Sequence, residues 1–180
     1  MQANEPESDP TRRPRTQGGT RFLENLAYLV PGYRGYKEKE LRREEDARLR
    51  SRVLSKLQEG RRLIEERLAK LAEGALDAHV DALDRRLRRL EGLADAVRYA
   101  PYGFSGFFDA ATVREDTLER ILETDLLLFQ DLDDFVEMLR GTPFPPRSKA
   151  GFTQFFEALD LHLDRIEHRL IARDKLLGDR

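Results

Sequence analysis

Histidine, carboxylate and hydroxyl side chains are where acid–base or metal chemistry would reside in this chain, because its 180 residues include no cysteine. That composition removes a thiolate nucleophile and every zinc or iron–sulfur site built on thiolates. The three histidines are His79, His162 and His168. A di-metal centre in a helical protein needs Glu-x-x-His pairs projecting inward from two helices. Three residues before the histidines stand Leu76, Leu159 and Arg165, so that motif is absent. Asp164 and His168 are four apart, as are Asp160 and Asp164, and each pair can share one helix face. A two-point metal site is conceivable there, but surface hydrogen bonding is the commoner use of such pairs. Ser105 has no neighbouring histidine and no nucleophile-elbow pattern. Gly103-Phe-Ser-Gly106 lacks the lysine and hydroxyl residue that complete a phosphate-binding loop. No catalytic residue, metal or cofactor is expected, and the chain reads as non-enzymatic.

The segments carrying these residues are helical in pattern almost throughout. Residues 1–19 read as a disordered tail: Pro6, Pro10, Pro14, a cluster of Arg12, Arg13 and Arg15, and a Gly18–Gly19 break. Residues 20–180 read as one helical domain, beginning with a short helix capped by Thr20 and ended by Pro31-Gly32. A long charged helix is expected from about Lys37 to Ala72. Its seam is Leu49, Val53, Leu57, Ile64, Leu68 and Leu71, with Gly60 filling one step. Upstream of Leu49 only Leu41 and Ala47 break the charged run, so that half is expected to project or to be covered by another chain. The second helix carries Leu76, Val80, Leu83, Leu87, Leu90, Ala94 and Val97, spaced alternately four and three. That spacing is a heptad seam, and the brief break at Gly74 predicts a fold-back hairpin.

The third helix, about Arg114 to Arg140, is capped by Thr112 with Glu115 three residues on. Leu118, Leu122, Asp125, Phe129, Leu132, Val136 and Leu139 form its seam, widened by Ile121, Leu128 and Phe135. The last helix, about Gly151 to Leu177, carries Phe152, Phe156, Leu159, Leu163, Ile166 and Leu170, with Phe155 beside them. The fold expected is all-α: an elongated antiparallel helical bundle with a coiled-coil hairpin, four long helices and a short N-terminal one.

Asp125 is the polar exception in a seam. A lone carboxylate between Leu122 and Phe129 is costly unless paired. Arg98, or a tyrosine of the segment that follows it, is the expected partner in a register-fixing contact. The alternative is that Asp125 turns to solvent and Leu126 or Leu128 takes its place.

Two segments stand apart from the heptads. Tyr99-Ala-Pro-Tyr-Gly-Phe-Ser-Gly-Phe-Phe-Asp109 gathers Tyr99, Tyr102, Phe104, Phe107 and Phe108, five of the chain's fifteen aromatics, around Pro101, Gly103 and Gly106. It suits an apolar plug closing one end of the bundle, or an exposed patch for a partner or bilayer surface. Around Pro31-Gly32, Tyr33 and Tyr36 sit beside Arg34, Lys37 and Lys39, a mixture that suits RNA, phosphate or anionic lipid. Glu38, Glu40, Glu44, Glu45 and Asp46 interleave with those positives, which is also ordinary helix-surface pairing. The stretches PGYRGYKEKELRREED and RYAPYGFSGFFD resemble distinctive segments of a family of bacterial all-helical proteins with no assigned activity. The resemblance spans roughly residues 30–110; it implies a bacterial, helical, non-secreted protein and carries over no site.

Charge narrows the partners. The net charge is -2, and pI is about 6.0, so no nucleic-acid partner is expected. Residues 1–62 hold 15 basic and 10 acidic groups, whereas residues 109–137 hold 10 acidic and 2 basic ones. Charged residues make up 37% of the chain, well above the roughly 25% of an average globular domain, which favours narrow apolar seams between charged faces. No run is apolar enough to cross a membrane and no export signal is read near the start, so the cytoplasm is the expected compartment. The leading expectation is an interaction or scaffolding protein, self-associating or bound to another helical chain. The alternative is a peripheral membrane protein at the inner face, anchored by the aromatic segment 99–108 and the basic first half. A metal- or small-molecule-binding bundle is the third.

Overall fold

In the computed structural model of the chain, residues 39–74, 76–99 and 115–178 are described, and they form four α-helices. α1 spans Lys39–Glu73, α2 Asp77–Tyr99, α3 Glu115–Gly141 and α4 Lys149–Gly178. The described residues contain no strand. None of these helices is long and apolar enough to cross a membrane. The tail 1–19, the short helix expected after Thr20, and Thr112 lie outside the described residues.

Helix ends follow from local chemistry. Between α1 and α2 the Gly74 N–H donates to Lys70 O (3.1 Å) and the Leu76 N–H to Leu71 O (3.0 Å), so the chain reverses within a few residues. α3 ends where Thr142 returns both its N–H (3.1 Å) and its hydroxyl (2.7 Å) to Met138 O, ahead of Pro143. α4 begins at Lys149 rather than at Gly151, because Ser148 serves as its cap: Ser148 Oγ accepts from the Gly151 N–H at 3.1 Å.

Each helix lies against two others: α1 against α2 and α3, and α4 against α3 and α2. The contacts give the directions. Arg61 of α1 pairs with Glu91 of α2, and Arg50 and Val53 lie near Ala96 and Val97, so these two helices run oppositely. Asp131 of α3 takes Arg169 of α4, while Phe135 lies against His162, so these run oppositely as well. Between the hairpins the numbers rise together: Lys56 with Asp133, Gly60 with Phe135, Arg67 with Thr142. α1 is therefore parallel to α3. The same holds for α2 and α4, where His79 meets Phe152 and Arg89 meets Asp164.

One core fills the space between the four helices. Leu57, Ile64 and Leu71 come from α1, Leu83 and Leu90 from α2, Leu132, Phe135 and Leu139 from α3, and Leu159, Leu163 and Ile166 from α4; all are essentially inaccessible. Side chains of this size each gain roughly 1.5–3 kcal/mol from such burial. At Gly60 the backbone approaches Phe135 so closely that a Cβ would overlap the ring at Cε1. That glycine occupies a seam step because the ring of Phe135 takes its place. α2 has 23 residues against 35 in α1. Its end at Tyr99 lies level with Arg50, and α1 runs on beyond it through residues 39–48.

Candidate functional site

The most concentrated electrostatics in the interior lies near the level where α2 stops. Asp125 is 1% exposed, and its Oδ1 accepts from Arg173 Nε of α4 at 2.6 Å. The expectation of a paired seam carboxylate fits this geometry, but the guanidinium on it comes from α4. Arg98, the residue proposed as partner, points outward, donates to Asp95 at 2.7 Å and lies 5.9 Å from the Tyr99 ring centre. Leu126 and Leu128 are buried alongside Asp125, so neither displaces it. The α3 register allows this because the buried face is wide enough for residues 125, 126, 128 and 129 together. Arg173 falls three residues after Leu170, on the next step of the α4 seam, so its position was legible and its charge was what disguised it.

Beside the pair is a cavity of about 60 Å³ lined mainly by Leu49, Val53, Val97, Leu128, Phe129 and Leu170. It has room for a few water molecules or a small apolar group. A larger groove of about 350 Å³ runs along the outer seam of α1 and α2, past Gln58, Arg61, Glu91, Asp95 and Arg98. Its charges pair with one another: Arg61 with Glu91 at 3.2 Å and Arg98 with Asp95 at 2.7 Å.

The histidines go separate ways. His79 stacks flat on Phe152, ring centres 3.7 Å apart and planes 9° off parallel, so its ring serves packing at the α2–α4 contact. His162 is half-buried against Phe135, and its Nδ1 is buried with no hydrogen-bond partner. Burial lowers its pKa below the ordinary histidine value; nearby Arg165 lowers it further, while Asp134 and Asp131 pull the other way. His168 faces solvent. Asp160 and Asp164, weighed as metal ligands, accept from Arg86 (2.5 Å) and Arg89 (2.6 Å) across the α2–α4 contact, and Glu167 joins Asp164 on Arg89. Among the described residues no group of three His, Asp or Glu could hold a metal ion.

At the opposite end, Arg67 is 7% exposed and no carboxylate is among its hydrogen-bond partners. It donates to Leu63 O at 3.0 Å and to Thr142 O at 3.5 Å, with Phe144 and Phe155 rings 5.4 and 6.0 Å from its guanidinium carbon. Desolvation lowers its pKa, opposed by the charge of Glu66. The seam reading of α1 missed this residue, since an arginine between Ile64 and Leu71 looks like surface.

Of the aromatic segment, only Tyr99 is described. It closes α2 and is 72% exposed. Tyr102, Phe104, Phe107 and Phe108 lie outside the described residues, as do Tyr33, Arg34, Tyr36 and Lys37 of the basic–aromatic patch. Lys39 is the first residue of α1. Among the described residues the exposed large apolar side chains, besides Tyr99, are Leu161 (49%) and Ile171 (44%), both on α4. No family model matches the chain, and no curated protein or solved structure is found to be similar to it. The resemblance drawn from the two segments thus stands on their residues alone.

Proposed function

We propose that the chain is an elongated antiparallel helical bundle acting as an interaction or scaffolding protein, self-associating or holding another helical chain through its outer faces. The observation that carries this reading is how the reactive side chains are used. His79 is stacked on Phe152, Asp160 and Asp164 are held by Arg86 and Arg89, and buried Asp125 is held by Arg173. The interior between them is filled by aliphatic and phenylalanine side chains. The outer faces, by contrast, keep apolar Leu161 and Ile171 in solvent. Such surfaces suit recognition by shape and charge rather than chemistry on a bound substrate. The cytoplasm is the compartment proposed. Light scattering on the full chain, together with cross-linking in an extract of the native host, tests the reading. A stable homo- or hetero-complex is expected; a strict monomer recovered with no partner would overturn it.

A second reading, a peripheral membrane protein, is favoured by one observation. Tyr99 stands 72% exposed at the end of α2 with Arg98 beside its ring, a pairing that suits a membrane–water interface. Flotation with anionic liposomes tests it: salt-sensitive binding lost in Tyr99→Ala is expected, and no binding would remove it.

A further inference from the structure

Building on the interaction reading above, we propose that two copies of this chain pair through the outer face of α4, helix against helix and antiparallel. The face is a second heptad stripe that the core does not use. Glu157, Leu161, Asp164, His168, Ile171 and Lys175 are spaced alternately four and three, and all six are exposed. At 3.6 residues per turn they lie on the side away from Leu159, Leu163 and Ile166, which are buried. Leu161 and Ile171 are the apolar pair of this stripe, and charged or polar side chains stand between and beyond them.

The order of side chains along the stripe decides the partner. It reads acid, apolar, acid, histidine, apolar, base. Laid antiparallel on a copy of itself, Glu157 meets Lys175, Leu161 meets Ile171 and Asp164 meets His168, each twice. Laid parallel and in register, Glu157, Asp164 and Lys175 each meet their own charge. An isologous contact about a two-fold axis is thus selected by charge and by apolar match together. Arg89 already holds Asp164 and Glu167 on one margin of the stripe, fixing those carboxylates. On the other margin Arg165 approaches its own copy near the axis, a like-charge contact that limits affinity.

Sedimentation equilibrium on the full chain tests this, with circular dichroism to confirm that each variant folds. Wild type is expected to dimerise. Leu161→Asp should weaken the dimer about a hundredfold by burying two carboxylates. Glu157→Lys and Lys175→Glu should each weaken it about tenfold, by replacing two attractive pairs with repulsive ones. Mixing the two single variants should restore a dimer, because each then meets its opposite. Because the chain holds no cysteine, Leu161→Cys mixed with Ile171→Cys reports alignment directly. An oxidised heterodimer is expected, while cross-linking of Leu161→Cys to itself would show the parallel alignment and overturn the proposal. A monomeric wild type would overturn it too, and leave a different helical partner as the occupant of the outer faces. A dimer indifferent to Leu161→Asp and Glu157→Lys would also overturn it while keeping self-association through another face.

Discussion

A buried ion pair is weak evidence of stability but a sensitive point of failure. Asp125 and Arg173 are each under a tenth exposed, so removing one takes from the other a charged partner that water does not replace. Asp125→Ala is expected to destabilise the fold by about 3–5 kcal/mol in urea titration. The double change Asp125→Leu with Arg173→Met should recover most of that loss, since it removes both charges and keeps volume. Unchanged stability in Asp125→Ala would remove the structural role of the pair. His162 carries the pH dependence at this scale. Its folded pKa lies below the ordinary value, mainly through burial, so between those two values the unfolded chain binds more protons. Stability should therefore be level above about pH 6.5, fall as the pH drops through the window below it, and flatten again under the folded pKa. His162→Gln should lose that component in denaturation series run across pH.

Helices were the legible part of the sequence. Heptad spacing picks out Leu49, Val53, Leu57, Ile64 and Leu71 in α1, and Leu122, Phe129, Leu132, Val136 and Leu139 in α3, all buried, whereas Leu68 of the expected α1 seam is only partly so. In α2, Leu83, Leu87 and Leu90 are buried, while Val80, Ala94 and Val97, and Leu76 just before the helix, pack only partly. Arg67 and Arg173 escaped because periodicity weighs residue type, whereas their burial depends on backbone carbonyls, rings and a carboxylate supplied from other helices. The Arg98 partnership failed for a related reason: nearness of Arg98 to the chain reversal says nothing of the side its rotation presents. Glycines give a test with opposite signs within one class of substitution. Gly60→Ala drives a methyl into the wholly buried Phe135 ring, and overpacking of about 1–3 kcal/mol outweighs the helix propensity gained. Gly92 meets nothing within 4 Å, so Gly92→Ala should stabilise by about 0.5–1 kcal/mol. Thermal denaturation of both variants checks the contrast, and Phe135→Leu should relieve Gly60→Ala.

Across the whole molecule, the uneven charge is partly consumed in holding helices together. Acidic α3 gives Asp125 and Asp131 to arginines of α4 and Asp133 to Lys56 of α1, while Glu59 of α1 takes Arg140. The more exposed of these, such as Arg140 with Glu59, contribute little each, roughly 0.2–1 kcal/mol, and are screened by salt. If α4 pairs as proposed, the melting temperature of wild type rises with protein concentration, whereas that of Leu161→Asp does not. Calorimetry over a hundredfold concentration range reads this directly.

The helices form two sequence-local pairs, α1 with α2 and α3 with α4, and the pairs lie side by side with matching directions. Contacts between them join residues far apart in sequence, such as Arg67 with Thr142 and Arg89 with Asp164, each pair 75 positions apart. The covalent route from one pair to the other is residues 100–114 alone. Completing the core thus depends on contacts distant in sequence, which cost more loop-closure entropy than those within each pair. Each pair is expected to form ahead of the docking that completes the core, and hydrogen exchange pulsed during refolding checks that order.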